Sequence, residues 1–121
     1  MKATVKVVGY DEQFRNLIKR GWGCGYAVIP KGHPILTKLE DETCFYLQVG
    51  KQEITLSEWQ EENYVIGFDT AHSWNNESHN KKWVENEAKK LVDEVNSFTK
   101  KDAFNYIQSK IDKLILEQNK L

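Results

Sequence analysis

Asp69 and His72 stand three residues apart, and a carboxylate paired with an imidazole occurs in hydrolytic and metal-binding sites. A hydrolytic triad also needs a nucleophile, and Cys24, Thr70 and Ser73 are available. The chain has no G-x-S-x-G nucleophile elbow, which would present such a group to the imidazole. The pair by itself therefore does not favour catalysis.

A metal site at the same place lacks a third ligand with suitable spacing. Catalytic zinc needs about three protein ligands, and the spacings of His33 and His79 fit no zinc motif. No metal is predicted, and two interpretations remain. Asp69 orients His72 or caps a turn, or both residues contact a ligand. In that case His72 donates to a phosphate or ribose, and Asp69 accepts from a ribose hydroxyl or an amino group.

A second candidate binding segment is Lys31-Gly32-His33, which lies between two prolines. It combines a cation, flexible backbone amides and an imidazole within three residues. This combination suits an anionic group such as a phosphate. An ordinary loop with a solvated lysine explains the same residues, so both interpretations stay open.

Glycines alternate with larger residues at positions 21, 23 and 25, at the start of a predicted strand. Alternation places the glycines on one face, which a backbone, a ring or a ligand can approach closely. No helix follows directly, so these glycines are not a dinucleotide-binding fingerprint. Trp22 and Tyr26 lie on the opposite face and are core or pocket residues, depending on which face is buried. Trp74 lies in a polar loop, where we expect an exposed ring able to stack on a planar base.

Hydrophobic periodicity predicts a small antiparallel sheet of about five strands in the first 72 residues. The predicted strands are Ala3–Val8, Gly21–Pro30, Thr43–Val49, Glu53–Leu56 and Tyr64–Phe68, with a turn at Gly50-Lys51. The last of them is almost continuously apolar, as in a buried central strand. The segment Tyr10–Arg20 fits either a short helix or a strand extension.

Helical periodicity replaces the strand pattern after a polar loop at 73–80. One apolar stripe consists of Val84, Ala88, Leu91 and Val95, and a second, with heptad spacing, of Phe104, Ile107, Ile111 and Leu114. Thr99 and Asp102 resemble a capping box at the start of the second helix. The fold class is therefore α+β, with a sheet portion at about 1–72 and two C-terminal helices at about 80–120. We expect one helix to cover the sheet and the other to contribute to a homodimer or higher homo-oligomer.

Composition limits the class of protein. A chain of 121 residues has the usual size of one domain, so 1–121 is predicted as a single domain. The net charge of −1 provides no broad field that would attract nucleic acid or an anionic membrane. No apolar run approaches the about 18 residues of a membrane span, and the N-terminal residues do not resemble a secretory signal. Cys24 and Cys44 lack C-x-x-C spacing. We predict a cytoplasmic protein without nucleic-acid or membrane partners.

Three blocks in this order resemble a family of small proteins common in phages and prophages: Trp22-x-Cys24-Gly25-Tyr26, Pro30-Lys31-Gly32-His33-Pro34 and Gly67-Phe68-Asp69-x-Ala71-His72. They cover about residues 20–74. Relatives often carry a His-Gly-Gly-Leu-Thr block before the third one, whereas this chain has Val49-Gly50 and Ile54-Thr55-Leu56 without the histidine. By size and layout the chain looks like the first family of Thoeris anti-defence proteins, which sequester cyclic ADP-ribose isomers made by bacterial TIR enzymes.

The resemblance implies a binding protein that holds a glycocyclic ADP-ribose without hydrolysing it, with no cofactor and no catalytic residue. Side-chain chemistry then assigns Lys31 or Arg20 to the pyrophosphate, Trp22, Tyr26 or Trp74 to adenine, and Asp69 or Asn75 to ribose hydroxyls, with His33 and His72 as further ligand contacts. Two alternatives stay open. One is a nucleotide hydrolase that uses Asp69, His72 and His33, and the other is a protein-binding inhibitor of a bacterial defence enzyme.

Overall fold

The computed structural model describes residues 1–39 and 54–120, which form an antiparallel sheet followed by two long helices. The elements in chain order are β1 (Thr4–Gly9), α1 (Glu12–Ile18), β2 (Gly23–Pro30), α2 (Leu36–Leu39), β3 (Leu56–Gln60), β4 (Asn63–Phe68), α3 (Lys81–Ser97) and α4 (Lys100–Asn119). The strands are ordered β1-β2-β4-β3, and each neighbouring pair is antiparallel. The predicted α+β class with two C-terminal helices is confirmed.

The described strands number four, where the sequence predicts about five. The predicted strand Thr43–Val49 and the turn at Gly50-Lys51 lie outside the described residues. The other difference is at β3, which starts at Leu56, the last residue of the strand predicted at Glu53–Leu56. β3 forms a hairpin with β4 through a turn in which Glu61 has a φ of 56°. Glutamate seldom adopts this conformation. The two turn residues, Glu61 and Glu62, include no glycine or asparagine that would reveal the turn in the sequence.

The ambiguous segment Tyr10–Arg20 contains the short helix α1. Asp11 caps its N-terminus, because its carboxylate accepts a hydrogen bond from Phe14 N at 3.0 Å. Lys19 ends the helix in the left-handed conformation, with a φ of 49°. Both ends are thus set by local interactions rather than by a long apolar stripe.

The glycine face of β2 is the buried face of the sheet. Burial alternates along β2, with Gly23, Gly25, Ala27 and Ile29 buried. A Cβ on Gly25 would lie 2.7 Å from the Phe68 ring and 3.0 Å from the Ala88 Cβ of α3. The close approach that the alternating glycines predict is therefore made by a ring and a helix within the chain. Tyr26 lies on the other face of the sheet.

The two long helices differ in what covers them. The predicted stripe of α3 is fully buried against β1 and β2, with Val84, Ala88, Leu91 and Val95 each 0% exposed. Burying one such Val or Leu side chain stabilises the fold by about 1.5–3 kcal/mol. The stripe of α4 is instead exposed, and Ala103 is the buried residue of that helix. None of the described helices combines the length and the hydropathy of a membrane-spanning segment.

The start of α4 contains the predicted capping box. Thr99 Oγ1 accepts a hydrogen bond from Asp102 N at 3.1 Å, and Asp102 Oδ2 accepts one from Thr99 N at 2.8 Å. The hydrogen bond from the Thr99 backbone lowers the pKa of the Asp102 carboxyl. The reciprocal bonds satisfy two helix-end donors, so this boundary depends on local residues alone.

Candidate functional site

Thr70 joins the loop after β4 to the start of β2. Its hydroxyl donates to Gly23 O at 2.6 Å and accepts from Gly23 N at 3.1 Å, and its carbonyl accepts from Gly21 N at 2.9 Å. A Cβ on Gly21 would lie 2.1 Å from the Thr70 side chain, so glycine is needed for this approach. Tyr10 OH accepts a further hydrogen bond from Thr70 N at 3.1 Å. These bonds place the loop that carries Asp69 and His72 beside the segment that carries Arg20 and Trp22.

Asp69 both orients His72 and caps a turn. Its Oδ1 lies 2.9 Å from His72 Nε2, at ion-pair distance but without the alignment of a hydrogen bond, and accepts from Thr55 Oγ1 at 3.0 Å. Its Oδ2 accepts from Ala71 N at 3.3 Å. The His72 ring stacks on Trp74, with centroids 4.3 Å apart and planes 3° from parallel. Trp74 is 49% exposed, so the stacked pair presents an indole to solvent, as predicted.

The surroundings of His72 do not provide the remaining parts of a hydrolytic site. Thr70 uses its hydroxyl on the β2 backbone, and Cys24 Sγ hydrogen bonds to Tyr10 OH at 3.7 Å. Among residues 1–39 and 54–120, no serine, threonine or cysteine side chain is hydrogen bonded to the His72 ring. The same residues contain no group of three or more histidine, cysteine, aspartate or glutamate side chains that could hold a metal ion.

Asn75 stabilises the loop from within. It is 4% exposed, and its Oδ1 accepts from His72 N at 3.0 Å. Its Nδ2 lies 3.4 Å from His79 Nδ1, and the His79 carbonyl accepts from Trp22 N at 2.9 Å. Asn75 thus belongs to a set of internal hydrogen bonds that connects His72 to Trp22, and its contact with a ribose stays a prediction.

The structure contains a cleft of about 350 Å³ between α1, the start of β2 and the N-terminus of α3. We call it the α1–α3 cleft, and it is lined by Glu12, Arg15, Asn16, Arg20, Gly21, Trp22, Glu77 and Asn80. Arg20 connects it to the Asp69–Asn75 loop, because its guanidinium donates to Ala71 O at 2.6 Å. Trp22 is half-buried and packs against the core while also lining the cleft. It is therefore both a core and a pocket residue.

Of the nine predicted site residues, Arg20 and Trp22 line the α1–α3 cleft, and Asp69, His72, Trp74 and Asn75 lie in the loop that Arg20 contacts. Arg15 and Asn80 belong to the cleft but were not predicted. Asn80 could have been recognised as a helix cap, yet no sequence pattern connects α1 to the start of α3.

Lys31 and His33 lie at the opposite end of β2 from Arg20 and Trp22. A strand rises about 3.3 Å per residue, so eight residues of β2 separate the two ends by about 25 Å. Lys31 is exposed, whereas His33 is 4% exposed and both of its ring nitrogens are hydrogen bonded. One small ligand cannot contact both ends, and we therefore leave Lys31 and His33 out of the site.

Tyr26 is also outside the cleft. Its ring lies directly over Gly67 on the sheet face that α3 does not cover. Burial, together with a hydrogen bond to Cys24, raises the pKa of the Tyr26 hydroxyl to about 12, and burial likewise raises the pKa of Tyr10. Both phenols stay protonated at neutral pH and act as neutral hydrogen-bonding groups.

A second cleft of about 340 Å³ lies on this other face and is lined by Lys6, Val28, Gln60, Glu61, Asn63 and Val65. It has no aromatic side chain and a single cation in its lining. The α1–α3 cleft, with two arginines and a tryptophan, is the better candidate for an anionic ligand with a planar ring.

Comparisons of the chain with protein-family models, with curated proteins and with solved structures find no match.

Proposed function

We propose that the protein binds a small nucleotide of the cyclic ADP-ribose type in the α1–α3 cleft and holds it without cleaving it. The observation that carries the proposal is the presence of Arg15, Arg20 and the Trp22 indole in one cleft. Its volume of about 350 Å³ is within the range of small-molecule sites, about 300–1,000 Å³.

Each part of such a ligand has a matching side chain in or beside the cleft. Guanidinium groups pair with pyrophosphate oxygens, and an indole stacks on adenine. The carboxylates of Glu12 and Glu77 accept hydrogen bonds from ribose hydroxyls. The half-exposed Trp74 provides a second stacking surface in the adjoining loop.

Sequestration rather than hydrolysis is supported by the surroundings of the histidine that a hydrolase would use. The His72 ring pairs with Asp69 and stacks on Trp74, and no hydroxyl or thiol of the described residues is hydrogen bonded to it. A triad needs such a nucleophile within hydrogen-bond distance of the imidazole. The resemblance of the three sequence blocks then suggests a biological role, which is removal of a defence signal in the cytoplasm of an infected bacterium by a phage protein.

The proposal includes self-association through α4. The heptad-spaced stripe of that helix has no cover in the described chain, with Phe104 66% and Leu114 63% exposed. Helices with such a stripe pack against a second helix. A homodimer is the simplest closed assembly that buries it.

The test is a thermal-shift screen of the purified protein against ADP-ribose, its cyclic isomers and cyclic di- and trinucleotides, followed by mass spectrometry of the ligand after heat release. Ligand at about 1,000 times its dissociation constant stabilises a protein by roughly 4 kcal/mol, which is a large shift. We expect such a shift with a cyclic ADP-ribose isomer, and release of the ligand intact.

Arg20→Gln is expected to weaken this binding by about tenfold or more, because a charge-assisted hydrogen bond is lost. Lys31→Gln is the matched control, since it removes one positive charge at the far end of β2 and should leave binding unchanged. A chemically altered ligand would contradict sequestration and favour a hydrolase. Absence of a shift with every nucleotide would contradict nucleotide binding and favour inhibition of a protein.

A further inference from the structure

The α1–α3 cleft is lined by a half-buried arginine, Arg15, whose hydrogen bonding is incomplete. The Nε of Arg15 is buried and has no hydrogen-bond partner among residues 1–39 and 54–120. A buried donor without a partner is unfavourable, and more so when it is charged. Guanidinium groups bind phosphate and carboxylate oxygens through two neighbouring N–H groups. Arg15 is therefore suited to an anionic oxygen supplied by a ligand.

The N-terminus of α3 borders the same cleft through Asn80. Asn80 caps the helix and lines the cleft, and its side chain accepts from Trp83 N at 3.0 Å. The first turn contains no acidic residue and begins with Lys81 and Lys82. Cations are unfavourable at a helix N-terminus, where anions are stabilised by the helix dipole and by unpaired backbone N–H groups. Two lysines at this position add to the positive charge of the helix end, and an anion would offset both.

Lys81 connects the helix end to the aromatic wall of the cleft. Its Nζ lies 5.9 Å from the centroid of the Trp22 ring and only at the limit of an ion pair with Glu85, at 3.9 Å. An ammonium over an indole face is a favourable cation–π arrangement. The ammonium therefore lies beside the Trp22 ring, which itself lines the cleft.

Two carboxylates restrict the kind of anion. Glu12 and Glu77 line the same cleft and weaken, without preventing, the binding of an anion that has no hydroxyl groups. Carboxylates accept hydrogen bonds from hydroxyl groups, so a ligand with hydroxyls next to its anionic group satisfies both kinds of side chain. Sugar phosphates and nucleotides have this combination.

We propose that Arg15, together with the first turn of α3, forms a phosphate subsite of the α1–α3 cleft that takes the phosphate or diphosphate group of a hydroxyl-bearing ligand. The identity of the rest of the ligand, beyond its phosphate group, rests on the proposed function. The phosphate subsite itself is built from Arg15, Asn80, Lys81 and Lys82 and can be tested without a nucleotide.

The experiment titrates the ¹⁵N-labelled full chain with inorganic pyrophosphate and, separately, with ADP-ribose, and follows the backbone amides by NMR. Pyrophosphate is expected to shift the amide resonances of Lys81 and Lys82. Arg15→Gln should weaken pyrophosphate binding by about tenfold, as expected for loss of a charge-assisted hydrogen bond. Arg15→Lys should give an intermediate loss, because it keeps the charge but not the planar fork.

Lys19→Gln is the matched control, since it removes one positive charge from an exposed residue that directly follows α1 and does not line the cleft. It should bind pyrophosphate like the wild type. Circular dichroism checks that each variant is folded. If Arg15→Gln does not fold, the pyrophosphate affinity of Arg15→Lys decides whether Arg15 belongs to the subsite.

Equal pyrophosphate affinity in Arg15→Gln and wild type, or unchanged Lys81 and Lys82 amides, would overturn the subsite. A cyclic ADP-ribose isomer that binds wild type and Arg15→Gln equally well would leave the proposed function intact and remove the subsite. Arg15-dependent binding of pyrophosphate, with no nucleotide bound in the thermal screen, would support the subsite and contradict the proposed function.

Discussion

His33 lies in the loop after β2 and belongs to a polar network that joins this loop to Asn96 of α3 and to Ala3, just before β1. Its Nδ1 accepts from Ile35 N at 3.2 Å, so Nε2 carries the proton and donates to Asn96 Oδ1 at 3.1 Å. Asn96 in turn pairs with Ala3, accepting from its N–H at 2.8 Å and donating to its carbonyl at 3.1 Å. This geometry uses the neutral imidazole. Burial lowers the pKa of His33 from its ordinary value of 6.5, and the positive amino terminus lowers it further, while the Asn96 hydrogen bond opposes both.

The lowered pKa predicts a loss of stability in acid. The unfolded chain binds a proton to His33 near pH 6.5 and the folded chain does so only at lower pH, so the free energy of unfolding decreases as the pH falls below 6.5. The contribution of this residue reaches at most about 1.4 kcal/mol per pH unit. Urea unfolding at pH 7.5, 6.5, 5.5 and 5.0 measures the dependence.

His33→Gln removes the titrating group and is expected to flatten this dependence. His72→Gln serves as the control, because it removes a histidine outside the His33–Asn96 network, stacked on Trp74, and leaves His33 in place. A His33→Gln protein with the same acid sensitivity as the wild type would assign the effect to other groups.

At the scale of elements, β2 is the strand that joins two neighbouring strands to the long helix α3. It pairs with β1 and β4, and α3 packs directly on its glycine face. The contacts of Gly25 with Phe68 and Ala88 leave no space for a side chain. The distance between α3 and the sheet is therefore set by the absence of a Cβ at this position.

Gly25→Ala is expected to destabilise the protein by about 1–3 kcal/mol, the usual effect of overpacking a core. Without this close packing, alanine would stabilise the strand, because it loses less backbone entropy on folding than glycine. The sign of the change in unfolding free energy therefore distinguishes overpacking from the backbone effect. Chemical denaturation measures it, with Cys24→Ala on the opposite face as a control that should change stability by under about 1 kcal/mol. A neutral or stabilised Gly25→Ala would show that α3 is not in close contact here.

At the scale of the whole molecule, α4 is the least covered element. Its predicted stripe remains on the surface, with Ile107 46% and Ile111 45% exposed, and Ile115 and Leu116 extend the apolar surface. Contiguous apolar surface on a small protein marks an interaction site. The heptad spacing favours another α4 as the partner surface, which is the basis of the proposed homodimer.

Light scattering at micromolar concentration should therefore give about twice the chain mass of 14.1 kDa. The double substitution Ile107→Glu and Ile111→Glu places charges in the stripe and should reduce the mass to that of one chain. Asn105→Glu with Ser109→Glu adds the same charge away from the stripe and should leave the dimer intact. A wild-type mass of 14.1 kDa would contradict self-association through α4.

Several elements were predictable from the sequence, because they depend on neighbours along the chain. Alternating Thr4, Lys6 and valines predict β1, and the stripe from Val84 to Val95 predicts the buried face of α3, since residues that share a face recur with a fixed period. The Thr99–Asp102 box marks the start of α4 through bonds that span three residues. Exposure of Trp74 follows from the polar residues around it.

The candidate site could be predicted only in part. Sequence identifies Arg20, Trp22 and the Asp69–Asn75 loop as chemically capable residues, and the Thr70 hydrogen bonds bring them together. It also adds Lys31 and His33, because a cation and an imidazole suit a phosphate. The length of β2 keeps these two residues about 25 Å from the others. Arg15 carries no signal of its own, since a single arginine in a short helix is usually a surface residue.

The amino-acid sequence by itself determined the periods of the strands and helices, the Thr99–Asp102 cap and part of the set of side chains in the candidate site. Only the tertiary structure decided which face of β2 receives α3 and which arginines share a cleft with Trp22. The physical reason is the range of the interactions. Caps and amphipathic faces depend on residues within about four positions of one another, whereas the cleft joins residues of α1, β2 and α3 that are up to 68 positions apart, from Glu12 to Asn80.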